Sequence, residues 1–422
     1  MSEMQPAFSY EPDETRHADI PGNSPLPTIT LQFSGTPTTG TVTITGLPSG
    51  TDVYGTASEG EPPSVPLVEA PPGTWTDQFD PTSDTVYTVE TPDPADNNND
   101  DGLIVAAVAI DTGSTTQVQT QLRPDIDALV TDDCSSLYCA SSTGDRAPFS
   151  DPGSDSVGAS TSNQPAASNV AGTLTVVSID VGAAGLTLRQ LVDGTWQGPS
   201  AVQLSPPVKA PLVGVALTEL GGDAYLAVST GSAITVYELS SSDLTSWTAV
   251  HTETPAANAL TGVSLTNNGV DLALGFTVSG QAYVAEADGS GGNPSWGAAT
   301  AVTTSTTFAT APALCSLGRG WCLVGADSSG AVQSFTKGAG ASTWSNAVAI
   351  PGLSTVTGLP SMARHFNAVY AAATDAATGS VAVVRSADGI QWSTAQTLPH
   401  QQGDWESPGQ IALAGGPPVM PG

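Results

Sequence analysis

Residues 384–396, VRSADGIQWSTAQ, hold a serine, an aspartate two residues on, a glycine and a tryptophan. A serine near an acid is part of nucleophilic catalysis, which also needs a histidine base. The chain has 4 histidines. His251, His365 and His400 are the candidates, but no Gly-x-Ser-x-Gly elbow frames a serine, and no phosphate loop occurs. Glycoside hydrolysis needs two carboxyls across the scissile bond. The segments expected to line a central channel, LVGVAL, LTGVSL, APALC, GLPSM and GQIAL, carry no acid. Arg189, Arg319, Arg364 and Arg385 do not begin any of them. The reading is therefore of a protein that is not an enzyme, with a glycoside hydrolase kept as the third alternative.

The tryptophans give these residues another role. Trp196, Trp247, Trp296, Trp344 and Trp392 lie 51, 49, 48 and 48 residues apart. A period near 50 with four short strands per repeat is a signature of propeller blades. Before each Trp comes a polar turn, and after it an alternating strand. The five repeats predict a five-bladed β-propeller over residues 171–422. The first repeat has no visible inner strand, and SPGQIALAGG near the C-terminus reads like one. The expected closure is therefore C-terminal strand pairing with the first blade, which leaves no free edge.

Ser386, Asp388, Gly389 and Trp392 resemble the Asp-box turn of sialidase-like propellers. SSDLTSW, with Ser241, Asp243 and Trp247, resembles it too; in both, the Asp precedes the Trp by four residues. In such a turn the Asp accepts backbone N–H bonds, the Gly supplies a positive φ and the Trp wedges between blades. Burying each indole is worth at most about 5 kcal/mol. The resemblance implies a structural turn remote from any active site.

The fold class is all-β: an N-terminal extended arm, an Ig-like β-sandwich, then the propeller. Residues 1–27 are acidic, Pro-rich and without periodicity, which suits an arm that orders against a partner. Residues 28–131 alternate in short runs such as TITLQFSG and DTVYTVET, the pattern of the sandwich. Residues 132–170 are Ser/Gly/Asp-rich and read as a linker. In DNNNDDG, Asp96, Asn98 and Asp100 alternate as in calcium loops, but Gly102 comes one residue late and Ala107 stands where the last acid belongs. Both a Ca2+ loop and a solvated acidic turn stay open. The close pairs Cys134/Cys139 and Cys315/Cys322 read as local disulfides.

Charge bounds the partners. Against 40 Asp plus Glu stand 9 Lys plus Arg, a net charge of −31. Only Lys209 and Lys337 are lysines. Residues 1–170 carry 25 acids and 3 bases (net −22), and 171–422 carry 15 and 6 (net −9). This balance repels nucleic acid, and at molar salt a Debye length of about 3 Å screens the self-repulsion. Few lysines among many carboxylates resembles proteins of salt-loving organisms. No basic n-region with an apolar core opens the chain, and the apolar run GLIVAAVAI is too short for a membrane span.

Ligand-binding candidates lie on loops between outer and next inner strands: Lys209, His251, Glu253, Phe308, His400, Gln402, Asp404 and Trp405. Trp405 could stack on a sugar ring. Domain order and composition resemble a spike or fibre protein of a haloarchaeal virus. That resemblance implies a virion-surface protein in a high-salt environment. The arm would meet other virion structural proteins, and the propeller a host cell-surface glycan or glycoprotein; a homo-oligomer would fit. The alternative is a secreted or cell-surface carbohydrate-binding adhesin, similar to five-bladed lectins.

Overall fold

The computed structural model describes residues 28–415 apart from internal breaks, the longest being 58–65, 93–102, 143–155 and 399–409. The arm at 1–27, the Asp96/Asn98/Asp100 loop, Cys134, Ser241, Asp243, His400, Gln402, Asp404 and Trp405 lie outside the described residues. Every regular element described is a strand, as expected for β-branched and small apolar residues cut by Gly and Pro turns.

Two four-stranded sheets occupy residues 28–122. One has the order β4-β2-β1-β7, from β1 (Thr28–Thr36), β2 (Thr39–Thr45), β4 (Thr74–Phe79) and β7 (Thr115–Gln119). The other is β3-β5-β6-β8, from β3 (Tyr54–Ala57), β5 (Val86–Pro92), β6 (Leu103–Ala109) and β8 (Gln121–Leu122). Period-two alternation turns Ile29, Leu31 and Phe33 of β1 inward. There they share one core with Val42, Trp75 and, from the other sheet, Tyr87 and Val89. The buried Tyr87 hydroxyl donates to Asp77 at 2.7 Å, so its polar end is not left without a partner.

Six further sheets follow. The first comprises β12 (Ala166–Val170), β13 (Thr173–Ile179), β14 (Leu186–Val192) and β15 (Thr195–Ala201). The second runs outward from β17 (Gly214–Leu220) through β18 (Asp223–Ser229) and β19 (Ile234–Leu239) to β20 (Ser246–Glu253), with β16 (Gln203–Ser205) parallel at its edge. The third has β21 (Leu260–Asn267), β22 (Asp271–Val278), β23 (Gln281–Asp288), β24 (Ser295–Trp296) and β25 (Thr300–Ala301). The fourth has β26 (Ala313–Leu317), β27 (Gly320–Ala326), β28 (Val332–Lys337) and β29 (Val348–Ala349). The fifth has β30 (Val356–His365), β31 (Ala368–Asp375), β32 (Val381–Ser386) and β33 (Gln396–Thr397). The closing sheet joins distant parts of the chain in the order β11-β10-β9-β34, from β9 (Ile126–Thr131), β10 (Ser136–Ser142), β11 (Ser156–Ser160) and β34 (Ile411–Ala414).

The inner strands touch in cyclic order: β12 with β17, then β21, β26, β30, β34 and back to β12. This propeller-like ring corrects three expectations. Six sheets stand in the ring, not five. The C-terminal strand pairs with β9, Ile411 opposite Val130, and not with the sheet that holds Trp196. The stretch read as a linker contains β10, β11 and β12, and β12 is the inner strand the first repeat seemed to lack. The reason is chemical. The closing sheet has no Trp to continue the period, and its Ser, Ala and Gly resemble linker composition. Burial identifies it instead: all six residues of β9 are buried.

Specific bonds fix the closing strand. Gln410 and Thr131 bond reciprocally, backbone N–H to hydroxyl at 2.7 Å and backbone N–H to carbonyl at 3.0 Å. Gln164 Nε2 donates to the Ile411 carbonyl at 2.7 Å, Asn169 Nδ2 to the Gly415 carbonyl at 2.6 Å, and Leu413 N to Ser361 Oγ at 2.9 Å.

The cysteines correct the expectation of local disulfides. Cys139, expected to bridge to Cys134, is a buried thiol and forms no disulfide. It lies within β10, opposite Leu129 of β9. Its side chain belongs to the core that Leu129, Leu137 and Val157 share with Leu174 and Val176 of the first sheet, and its thiol faces Asp127 Oδ1 at 4.0 Å. Spacing alone suggested a pinched loop; strand pairing instead commits Cys139 to the packing between two sheets. Cys315 and Cys322 oppose each other across β26 and β27, but the expected disulfide between them is not formed either. Each sulfur is turned to a different neighbour: the Cys315 thiol donates to the Ser316 carbonyl at 3.6 Å, and the Cys322 sulfur lies under Gly389.

Candidate functional site

The turn after β32 is a fastener. Ser386 is 3% exposed. Its hydroxyl accepts from Gly389 N at 2.9 Å and donates to the Gln391 carbonyl at 2.6 Å. Asp388 Oδ1 accepts from Ile390 N at 2.8 Å and Gln391 N at 2.7 Å. Burial pushes the Asp388 carboxyl up, but these backbone bonds and the Ser386 hydroxyl outweigh it and hold the pKa below the ordinary value. Gly389 has φ +68°, and a Cβ there would come within 2.7 Å of Thr336 and 3.0 Å of Cys322. Trp392 Nε1 donates to the Gly389 carbonyl at 3.2 Å and across to Ser334 Oγ of the fourth sheet at 3.1 Å. The Ser386 hydroxyl, Asp388 Oδ1 and the Trp392 indole N–H are all engaged in holding the turn.

The repeated indoles act alike. Trp196 of the first sheet packs with Leu129 and Leu137 of the closing sheet. Trp247 packs with Leu186 and Leu188 of the first. Trp296 packs on the core of the second, Trp344 on Ala282 and Val284 of the third, and Trp392 on Val324 and Val332 of the fourth. Each wedges its own sheet against the one before.

A cavity of about 690 Å³ opens on the fifth sheet, within the range of ligand pockets. Tyr370, Val383 and Arg385 form its floor, and Trp392, Ser393 and Gln396 stand at its rim. Tyr370 is buried, with His365 edge-on to its ring at 6.0 Å and the Arg385 guanidinium carbon 5.8 Å from its centroid. That is cation–π distance. Among the described residues no carboxylate lines this cavity. The arrangement can offer an apolar ring face, guanidinium donors, hydroxyls and an amide. Among the described residues it holds no acid–base pair.

Among the described residues, no acid lines the ring's centre either. Two cavities of about 100 and 70 Å³ are lined by all six inner strands, chiefly through Ala, Leu, Val, Ser and Met. Arg364 is the one charged residue lining them among the described residues.

Among the described residues, the loop candidates Lys209, His251, Glu253 and Phe308 do not come together as one site. Lys209 is exposed. Phe308 is 3% exposed and packs at 5.8 Å from Phe335, over Gly325, where a Cβ would collide with its ring at 2.3 Å. It is a core residue, which corrects its place among the ligand candidates. His251 and Glu253 share β20 and sit 3.5 Å apart, and His251 stacks on Trp296 at 4.6 Å. Desolvation lowers the His251 pKa, with Glu253 opposing. The second lysine, Lys337, bonds Glu286 of the third sheet. Among the described residues, no group of three or more His, Cys, Asp or Glu could hold a metal ion, and no helix is long and apolar enough to cross a membrane. Tyr370, Val383 and Arg385 carried no sequence signal, because their place depends on which sheet lies opposite.

No family model and no curated protein matches the sequence. Solved structures do. TolB from Acinetobacter baumannii aligns at 15% identity and TM-score 0.44, covering 74% of this chain and 80% of that one. The periplasmic gluconolactonase PpgL of Pseudomonas aeruginosa aligns at 13% and 0.44, covering 70% and 100%. The SapL1 lectin in complex with alpha methyl fucoside aligns at 15% and 0.43, covering 66% and 97%. At such distance these neighbours bear on no function.

Proposed function

We propose that this protein is a non-catalytic, carbohydrate-binding attachment protein whose ring is the binding head. The observation that carries this is the cavity beside Trp392: an aromatic and guanidinium floor, a polar rim and no lining carboxylate among the described residues. A pyranose has one face of C–H groups that suits an aromatic wall, and hydroxyls that suit Arg, Ser and Gln donors. The described lining of the channel, which carries no acid, speaks the same way, because glycoside hydrolysis needs two carboxyls.

In the same reading, the six sheets are the blades of a closed six-bladed propeller, from about residue 126 onward. Residues 28–122 are an Ig-like sandwich acting as a spacer. The pairing of β1-β2-β4 in one sheet and β3-β5-β6 in the other supports this. The narrower form, a virion spike or fibre working in high salt, is supported by the charge of −31 and its concentration in the first 170 residues. The test is to incubate the full chain with a glycan array and with whole halophile cells in molar salt. Saturable binding with no released sugar is expected. Absence of binding on both, or steady release of sugar, would overturn the proposal. Mass spectrometry of purified virions from such hosts checks the narrower form.

A further inference from the structure

The inner strand of the third sheet, β21, ends at Asn267, and Asn268 and Gly269 lead the chain into the turn before β22. The two asparagine side chains reach in opposite directions round the ring. Asn267 Nδ2 donates back to the second sheet, to Thr218 Oγ1 at 3.0 Å and to the Glu219 carbonyl at 2.6 Å. Asn268 Nδ2 donates forward to the fourth sheet, to the Arg319 carbonyl at 2.9 Å. One turn therefore clasps three sheets where their inner strands end.

Asn268-Gly269 is the single Asn-Gly step in the sequence. Asparagine before glycine is the step at which a peptide chain most readily modifies itself, because no Cβ keeps the glycine nitrogen from the preceding carboxamide. The turn requires the glycine all the same: Gly269 holds φ +89°, a region that strains any residue with a Cβ. In the closed ring both reacting groups are occupied. The Gly269 N–H donates to Asn267 Oδ1 at 3.0 Å. Asn268 Oδ1 accepts from Val270 N at 3.0 Å and Asp271 N at 2.7 Å. Its Nδ2 is held by the Arg319 carbonyl and by Asp271 Oδ2 at 3.4 Å. The carboxamide is pinned at both ends, so it cannot turn to meet the glycine nitrogen while the clasp is made.

We propose that Asn268 is a latent self-modification site, silent while the ring is closed and reactive once the seam between the third and fourth sheets opens. Local opening frees the carboxamide from the Arg319 carbonyl and the Gly269 N–H from Asn267. The Gly269 nitrogen then loses its proton and bonds to Asn268 Cγ; the Cγ–Nδ2 bond breaks, and ammonia leaves with that proton. Water opens the resulting succinimide at either carbonyl, giving aspartate or isoaspartate. Either product has lost the Nδ2 donors and carries a new negative charge beside Asp271. It turns an acceptor toward the Arg319 carbonyl, which can only accept. The clasp cannot form again, so the change is one-way. None of these steps depends on what the ring binds.

The wild-type full chain tests this in mildly alkaline molar salt, with and without urea, by proteolysis and mass spectrometry of the peptide that holds Asn268. Conversion roughly tenfold or more faster in urea than in the folded protein is expected, because reaction needs the open state. Equal rates overturn the proposal. The urea-treated chains are then returned to molar salt, and the refolded fraction is separated by size. Intact Asn268 is expected to be enriched there; the same converted share in refolded and unrefolded chains overturns the one-way clasp. Asn268→Asp, made directly, checks the same point. It is expected to fail to refold, or to fold with faster hydrogen exchange than wild type in β21, β22 and the turn at residues 318–319. A variant with the wild-type melt and exchange overturns the clasp.

Discussion

The turns at Trp392 and Trp344 occupy the same place in neighbouring sheets and differ in one respect. At Trp392 the indole N–H has two acceptors, supplied by a glycine at φ +68° and by Ser334. At Trp344 and Trp296 the Nε1 atoms are buried with no hydrogen-bond partner. Trp247 lies between these cases: its N–H reaches the Leu244 carbonyl at 2.9 Å, but Leu244 must hold φ +57° to present it, a region that strains any residue with a Cβ. An indole sits at five of the seams, where its area fills the gap. The full Ser-x-Asp-Gly turn adds a saturated polar end. Packing and hydrogen bonding are thus separable along one ring.

That contrast can be broken by mutation. The largest effect is expected from Trp392→Ala, which empties a seam and should cost about 3–5 kcal/mol in denaturant titration at fixed high salt. Gly389→Ala should follow at about 2 kcal/mol or more, because it combines an unfavourable φ with contact on Thr336 and Cys322. Sharper is the paired change to phenylalanine. Trp392→Phe loses a ring and strands its acceptors, whereas Trp344→Phe removes an N–H that has no partner. The first should cost about 1–2 kcal/mol more than the second; equal costs would show that the bonds at Trp392 contribute nothing.

Two smaller effects appear as slopes against pH. Asp388 has a lowered folded pKa. Its contribution is complete above the unfolded value near 3.9 and is lost as pH falls through the folded value. Asp388→Asn should therefore flatten the acid limb of the stability curve. His251, stacked on the unpartnered Trp296, also has a lowered pKa. Below about 6.5 the unfolded chain takes the proton first, so stability falls with falling pH until the folded value is passed. His251→Gln should remove that slope, and a slope that survives would assign it to other groups.

The ring was legible in the sequence wherever an indole marked it. The Trp period marks five of the sheets, and the Ser386–Trp392 stretch forms a hydrogen-bonded turn after β32. What stayed hidden was the sheet without a Trp. IDALVT, SLYCASS, SVGAS and AASNV are short and small-residue-rich, and only their mutual pairing reveals them. Cys139 misled for that reason: inside SLYCASS it looked like one end of a pinched linker, and it is a strand residue packed in the core. The cavity was illegible because Tyr370, Val383 and Arg385 lie on different strands and are brought together only by the pairing of β31 with β32. Phe308 misled because a residue on a connection was taken as exposed, when Gly325 leaves room for it to turn inward.

The bonds between Thr131 and Gln410 join residues 279 positions apart. During synthesis β9 emerges early, and its inner edge waits unpaired until residues 411–414 leave the ribosome. The ring consequently cannot close before residues 411–414 have been made. In the interval, the nascent chain exposes a largely apolar strand edge that neighbouring chains could capture.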